Sequence, residues 1–186
     1  MRNLLIVLSG PSGVGKGTIA KELVRRNPEI LLSVSCTTRQ PRAGEQHGRE
    51  YYFITKQEFS ERIKNDGFLE YSEHFENSYG TPKDFTLKGL ENNDVLLEID
   101  VNGGLRVKEN YPEALLIMVQ PPSLEELENR LLKRNTESLE KIKARMERIA
   151  YETEQGKSYD YTVINDNLTV AVEQIEEIIK AEKTLK

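Results

Sequence analysis

The sequence predicts an α/β fold of three layers, in which helices cover both faces of a central parallel sheet. The first observation is an unbroken apolar run at residues 4–8, which a Ser-Gly-Pro sequence ends at once. Runs of this kind are typical of strands buried on both faces of a parallel sheet. Similar runs recur at residues 95–99, 115–119 and 161–164, separated by segments of helical composition. This alternation predicts a doubly wound core.

Helices are predicted between these strands. The first extends from Lys16 to Arg26, and the apolar residues of the last recur with helical periodicity from about Leu168 to Lys183. Two further helix starts carry a capping box, in which a hydroxyl and a carboxylate three residues later satisfy free backbone N–H groups. These pairs are Thr55 with Glu58, for a helix to about Asn65, and Ser123 with Glu126, for a helix to about Arg134.

Length and composition restrict the possible functions. The 186 residues suffice for one α/β domain with a sizeable core, and the net charge of −5 argues against broad binding of nucleic acid or anionic membranes. The single cysteine, Cys36, excludes an intramolecular disulfide and is expected to pack in the interior, and the two histidines lack zinc-ligand spacing. We expect a cytoplasmic protein that binds neither nucleic acid nor membranes. Monomer and homodimer both stay open.

A glycine-rich segment directly after the first strand matches the first seven positions of the phosphate-binding P-loop, Gly10-Pro11-Ser12-Gly13-Val14-Gly15-Lys16. Its glycines let backbone N–H groups face a phosphate, the following helix adds partial positive charge, and Lys16 reaches the β and γ oxygens of a nucleotide. Gly17 stands where the common pattern has a Ser or Thr that binds Mg²⁺. The metal is therefore expected to depend on water, nucleotide phosphates and Asp100, with Thr18 as a second candidate.

The P-loop alone does not decide between GTPases, ATPase motors and small-molecule kinases. Two further regions interrupt the simple alternation. Residues 36–82 are polar, aromatic and rich in turn residues, and they are predicted to form an insertion with short strands at 51–54 and 69–75. Residues 125–154 are charged and helical in composition, which predicts a hinged flap.

In these motifs the chain resembles guanylate kinases. The resemblance extends from the P-loop through the segment Ser33–Glu45, Gly48–Phe53, Glu70, Tyr79-Gly80-Thr81 and Glu98-Ile99-Asp100 to the arginines at 130–148, and so covers nearly the whole chain. It implies transfer of the γ-phosphoryl group of ATP to GMP, and also to dGMP, with Mg²⁺ as cofactor. It further implies one domain, 1–186, with a core of residues 1–35, 83–124 and 155–186, a GMP-binding insertion at 36–82 and a lid at 125–154.

Four residues of the insertion suit the phosphate of GMP. Planar guanidinium groups bind phosphate oxygens in pairs, which suits Arg39 and Arg42 to this role. The hydroxyls of Tyr51 and Tyr79 are expected to be further donors. By the resemblance, the expected catalytic residues are Lys16, Arg39, Arg134 and Arg145.

A second set suits the guanine base, which has donors at N1 and N2 and an acceptor at O6. Glu70 is expected to accept from the donors, and the hydroxyls of Ser35 and Thr81 to serve the other edge. Adenine would present an unprotonated N1 to Glu70, so this arrangement favours guanine. Asp100 ends a buried strand and is assigned to Mg²⁺ or to the guanine amino group. Glu98 is expected to support the same site.

The lid assignments come from the resemblance. Arg134 and Arg145 are expected to close onto the phosphates, with Arg130 on the hinge side, and Asn165 matches a family position near the adenine of ATP. Asn135 stands where the family usually has glycine. Arg148 is instead expected to pair with glutamates one turn away on its helix.

Two other functions stay open. One is a kinase for AMP, CMP or UMP, because the Gly-Lys-Gly-Thr end of the P-loop resembles that of adenylate kinases. The other is a non-catalytic guanylate-kinase-like module that binds peptides. Such modules typically lack a working P-loop lysine, whereas this chain has Lys16.

Overall fold

A parallel sheet of five strands forms the centre of the protein. The structure is a computed structural model that describes residues 2–74, 76–125 and 139–185. In spatial order the strands are β2 (Ile30–Leu32), β7 (Asp94–Glu98), β1 (Leu5–Ser9), β8 (Leu115–Gln120) and β9 (Tyr161–Ile164). All neighbouring pairs run parallel, which confirms the predicted fold class. The edge strand β2 was not predicted.

Helices cover both faces of this sheet. Successive side chains of a strand point to opposite faces, so each face of these apolar strands needs a cover. The helices among the described residues are α1 (Lys16–Arg26), α2 (Lys56–Lys64), α3 (Lys83–Leu90), α4 (Val101–Asn110), α5 (Leu139–Gln155) and α6 (Leu168–Leu185), with a 3₁₀ turn at Gly156–Ser158, and α2 packs on the insertion. Ile6 of β1 is buried in a cluster with Ile19 of α1 and Ile175 of α6. Val7 is buried in a second cluster, with Val107 of α4. One cluster joins the sheet to α1 and α6 and the other joins it to α4, so the sheet is the middle one of the three predicted layers.

The insertion forms a second, smaller sheet. Its strands, in spatial order, are β4 (Tyr52–Phe53), β3 (Cys36–Thr37), β6 (Asn77–Pro82) and β5 (Phe68–His74). The strands β5 and β6 pair in antiparallel register and place Glu70 opposite Thr81. Both strands predicted in this region are present with slightly different limits, whereas β3 and β6 were not predicted.

A small core joins this sheet to α2. Cys36, Phe59 and Phe68 are buried together, so the expected packing role of the cysteine is confirmed. Thr55 is the N-cap of α2 and forms the predicted capping box with Glu58 in both directions.

The second predicted capping box can be followed only in part. Leu124 and Glu125 are helical, while Glu126 and the rest of that predicted helix lie outside the described residues. None of the helices in the described ranges has the length and apolar character needed to cross a membrane.

Candidate active site

The glycine-rich loop connects the carboxyl end of β1 to the start of α1. Gly15 has a φ of 100°, a left-handed conformation that favours glycine. A Cβ atom on Gly10 would lie 2.2 Å from the carbonyl oxygen of Val119 on β8, so the loop can approach the sheet only without a side chain there. The Lys16 ammonium donates to the carbonyl oxygens of Gly10 at 2.5 Å and Pro11 at 3.2 Å.

Three carboxylates surround the lysine of this loop. Burial lowers the pKa of Lys16, and the negative charges of Glu98, Glu152 and Asp100 act in the opposite direction. They come from the end of β7, from α5 and from the start of α4. These carboxylates offset part of the cost of holding a buried ammonium group.

Glu98 lies against the P-loop. A Cβ atom on Gly17 would be 3.4 Å from both of its carboxylate oxygens. Burial raises the pKa of Tyr51 most, and the charges of Tyr79 and then Glu98 raise it further. Glu98, expected to support the guanine site, therefore lies between the phosphate loop and the aromatic residues of the insertion.

The donor set near the P-loop fits Mg²⁺ in a partly hydrated form. Mg²⁺ usually keeps several waters and takes one or two carboxylates together with substrate phosphates. Glu98 and Asp100 supply such oxygens beside Lys16. Thr18 is exposed on the first turn of α1. Within the described ranges, no three His, Cys, Asp or Glu side chains are grouped to hold a metal by themselves.

Asn165 supports the loop from the end of β9. Its side-chain amide donates to the carbonyl oxygen of Val14 at 2.7 Å. A Cβ atom on Gly15 would lie 2.7 Å from the same amide nitrogen. Asn165 thus contacts the P-loop backbone, and its expected place near the adenine of ATP stays a prediction.

A buried polar pair lies where the small sheet meets α4. Glu70 is 7% exposed, and its Oε1 accepts a hydrogen bond of 2.8 Å from the hydroxyl of the fully buried Thr81. A Cβ atom on Gly103 would lie 3.0 Å from Glu70 Oε2, so the helix backbone approaches the carboxylate closely. Burial raises the pKa of Glu70 to about 6; the charge of Asp100 also raises it, while Thr81 and Arg106 lower it.

Asp100 lies between this pair and the P-loop. It is the N-cap of α4, and its Oδ1 accepts from the backbone N–H of Gly103 at 2.8 Å. The same carboxylate acts electrostatically on both Lys16 and Glu70. It therefore links the phosphate loop to the buried glutamate across the carboxyl edge of the sheet.

Arg39 is held in place by a counterion and by aromatic rings. Its Nη2 donates to Glu45 Oε1 at 2.9 Å and its Nη1 to the carbonyl oxygen of Gln40 at 2.8 Å. Its guanidinium carbon lies 5.5 Å from the ring centroid of Tyr51 and 5.8 Å from that of Phe53, within the range of cation–π attraction. No role was predicted for Glu45.

Tyr51, Tyr79 and Arg42 lie near Arg39 or its counterion Glu45. The rings of Tyr51 and Tyr79 meet edge to face, with centroids 6.0 Å apart. Arg42 is exposed, and its backbone N–H donates to Glu45 Oε2 at 2.7 Å. Ser35 is half-buried just before β3.

Arg130, Arg134 and Asn135 lie outside the described residues, and the side chain of Arg145 on α5 does as well. Arg148 forms the expected pair with a glutamate one turn later, donating to Glu152 Oε1 at 2.9 Å.

The partner of Arg148 was not identified from the sequence. Glu152 is only 7% exposed, although it lies on a charged helix, and its charge reaches Lys16. Many glutamates occur in this segment, and the contact with the core that distinguishes Glu152 exists only after folding.

A glycine-rich loop with its lysine, placed between a buried parallel strand and a helix, defines a P-loop nucleotide-binding protein. A family model described as guanylate kinase matches residues 2–182, and the chain belongs to that family. A guanylate kinase of Caldanaerobacter subterraneus subsp. tengcongensis is 52% identical over 98% of this chain and 89% of its own length. One of Clostridium tetani is 50% identical over 98% and 88%. The crystal structure of guanylate kinase from Anaplasma phagocytophilum superposes with a TM-score of 0.80, at 32% identity over 97% of this chain and 86% of that one.

Proposed function

We infer that the protein is an ATP:GMP phosphotransferase, which transfers the γ-phosphoryl group of ATP to GMP and gives ADP and GDP. The observation that supports this most directly is the buried pair of Glu70 and Thr81, connected through Asp100 to the lysine of the P-loop. A buried carboxylate beside a phosphate loop supports this inference, because a carboxylate accepts from the N1–H and N2–H donors of guanine. The curated relatives carry the same family name over nearly the whole chain.

On the donor side we propose that residues 10–18 bind ATP. The backbone N–H groups of the loop and the start of α1 face the phosphates. Lys16 donates to loop carbonyls in this structure. Charged phosphate oxygens are stronger acceptors than carbonyls, so we expect the ammonium to turn to the β and γ phosphates when ATP binds. Asn165 keeps the loop backbone in the conformation that this binding needs.

On the acceptor side we propose that residues 36–82 bind GMP. Glu70 accepts from N1–H and N2–H of guanine, and the hydroxyl of Ser35 donates to O6. The Thr81 hydroxyl, which donates to Glu70 in this structure, would have to turn away from Glu70 to donate to the base as well. Each hydrogen bond to the carboxylate contributes about 1.5–3 kcal/mol. Arg39 binds the phosphate, with Arg42 and the hydroxyls of Tyr51 and Tyr79 as further donors. The contacts of Arg39 with Glu45 and Tyr51 orient the guanidinium before the substrate arrives.

Transfer breaks the bond between the γ phosphorus and the β–γ bridging oxygen, and it forms a bond from that phosphorus to a phosphate oxygen of GMP. At pH 7 the GMP phosphate is largely dianionic, since its second pKa is about 6, so the attacking oxygen needs no base. Catalysis is then alignment and the neutralisation of charge. We assign the latter to Lys16 and Arg39, together with Arg134 and Arg145.

Mg²⁺, bound with ATP, would neutralise phosphate charge, and we propose that Glu98 and Asp100 hold it through water. We propose residues 125–154 as a lid that excludes water from the phosphates. By the family resemblance we assign Arg130 to its hinge side. Arg148 pairs with Glu152 within α5, and the charge of Glu152 acts on Lys16 of the P-loop.

The inference is tested by a coupled assay of ADP formation with GMP, dGMP, AMP, CMP and UMP as acceptors. We expect GMP to give the highest kcat/KM, with dGMP as a second substrate, because the proposed contacts involve the base and phosphate and not the 2′-hydroxyl. Preference for AMP, CMP or UMP would identify a different nucleoside monophosphate kinase. A folded protein with no turnover on any acceptor would favour a binding module.

A further inference from the structure

One face of α4 lies along strand β5. Gly103, Arg106 and Asn110 are three and seven residues apart, so they share that face. At one end the backbone of Gly103 approaches Glu70, where a Cβ atom would lie 3.0 Å from Oε2. At the other end the side chain of Asn110 donates to the carbonyl oxygen of Leu69 at 2.9 Å. Arg106 lies between these contacts, on the face directed at β5.

Arg106 has an unusual environment for an arginine. Its Nε atom is buried and has no hydrogen-bond partner among the described residues. A buried polar atom without a partner costs folding free energy, so packing alone would favour an apolar side chain at this position. Its positive charge acts on Glu70 and lowers the pKa of that carboxyl, against the effects of burial and of Asp100. The charge of Arg106 therefore favours the ionised form of Glu70, which an apolar side chain at this position could not do.

The protonation state of Glu70 decides which purine it complements. As a carboxylate it offers only acceptors, which suit the N1–H and N2–H donors of guanine. As a carboxylic acid it offers one O–H donor and one acceptor, which suit the unprotonated N1 and the 6-amino group of adenine. Burial under a bound nucleotide and the charge of its phosphate favour the acid, whereas the N1–H and N2–H donors of guanine favour the carboxylate.

We propose that Arg106 is a positioning residue for base specificity, which holds Glu70 in its ionised form so that the site accepts guanine and rejects adenine. The inference rests on the proposed function, because it takes GMP as the acceptor substrate.

Arg106 is the cation among the charged and titratable groups that act on Glu70. Asp100 faces it from the start of α4 and carries a like charge. Tyr159 precedes β9, and its hydroxyl donates to the carbonyl oxygen of Val101. Burial raises the pKa of this hydroxyl, and the charge of Glu70 raises it further. Thr81 on β6 donates a hydrogen bond. Loss of the Arg106 charge therefore leaves burial and a like charge opposed by hydrogen bonds from Thr81 alone, one from its hydroxyl and one from its backbone N–H.

The test measures Glu70 directly, without any ligand, by a carbon NMR titration of its side-chain carboxyl group in the full chain. The variants are Arg106→Met, which keeps the length but not the charge, Arg106→Gln as a second neutral variant, and Arg106→Lys, which keeps the charge. We expect the midpoint for Glu70 to rise in both neutral variants and to return toward the wild-type value in the lysine variant. Because ionised Glu70 loses a favourable charge interaction, the neutral variants are expected to melt below the wild-type temperature near neutral pH, with a difference that shrinks as pH falls through the Glu70 midpoint.

The second measurement is the ratio of kcat/KM for GMP to that for AMP across a pH series. We expect the ratio near neutral pH to fall in Arg106→Met, by about tenfold for each pKa unit that the Glu70 midpoint rises, since each unit changes the ratio of ionised to protonated Glu70 tenfold. Arg106→Lys should retain most of the wild-type ratio. In the background of Glu70→Gln, which cannot ionise, the change at Arg106 should have no further effect on the ratio.

A packing role for Arg106 would lower GMP affinity equally at all pH values and leave the Glu70 midpoint unchanged. An unchanged midpoint in the neutral variants, or a raised midpoint with an unchanged ratio, overturns the proposal. Failure of the wild-type protein to phosphorylate GMP would overturn the proposed function instead. The NMR titration would still report whether Arg106 controls the ionisation of Glu70.

Discussion

Replacement of Glu70 by glutamine should stabilise the fold while it removes most of the activity. Burial raises the pKa of this carboxyl from 4.5 to about 6. At about 1.4 kcal/mol for each pKa unit, the ionised group costs about 2 kcal/mol of unfolding free energy. The cost is fully present above about pH 6, shrinks as pH falls through that value, and is absent below pH 4.5, where both states are protonated.

Glutamine keeps the size of the side chain and the acceptor for Thr81 but cannot ionise. We therefore expect Glu70→Gln to unfold at a higher temperature than wild type near pH 8, by about 4–8 °C for a chain of this size, with almost no difference near pH 4.5. At the same time kcat/KM for GMP should fall by about 10²- to 10⁴-fold, because up to two hydrogen bonds to a carboxylate are lost. Thermal melts at several pH values and steady-state kinetics measure the two effects.

A matched control is Glu73→Gln, on the same strand but exposed to solvent. It should change neither the melting temperature nor the kinetics at any of these pH values. If the stability difference for Glu70→Gln were the same at acid and alkaline pH, burial would not be the cause of the shifted pKa. If this variant kept normal kcat/KM for GMP, the guanine assignment would be wrong.

Three further outcomes follow from the structure. Gly10→Ala should lower the melting temperature and abolish ATP binding, because its Cβ would lie 2.2 Å from the carbonyl oxygen of Val119; wild-type ATP affinity would contradict this. Asn165→Ala should raise KM for ATP with little change for GMP, since its amide supports the loop through Val14, and kinetics with each substrate varied in turn decides it. Cys36 should resist alkylation at pH 8 until the protein is denatured, because burial raises its pKa to about 11; rapid labelling of the native protein would refute its buried position.

The parts of the fold that were predicted correctly have strong local signals. The long apolar strands and α1 were found with limits close to those observed, because burial on both faces requires continuous apolar sequence. The edge strand β2 has three residues and β3 has two, which is too short for a periodic pattern. Both are strands because they pair with residues more than 40 positions away, which composition does not reveal.

The same distinction applies to the candidate site. The P-loop was evident because its backbone conformation requires glycine at fixed spacing. Glu70 and Thr81 were identified through family resemblance, and the structure places them in contact. Arg106 and Glu152 were not identified, because each is an ordinary charged residue on a helix until the helix packs against the core. Only that packing brings Arg106 to Glu70 and Glu152 to Lys16.

The central claim, that one domain holds separate sites for ATP and GMP, is tested most directly by calorimetric titration of two variants with both substrates. Lys16→Ala should bind GMP with wild-type affinity and lose affinity for ATP, because the lysine serves the donor phosphates. Glu70→Gln should show the reverse, with wild-type affinity for ATP and strongly weakened binding of GMP. Loss of GMP binding in folded Lys16→Ala, or of ATP binding in folded Glu70→Gln, would contradict the account.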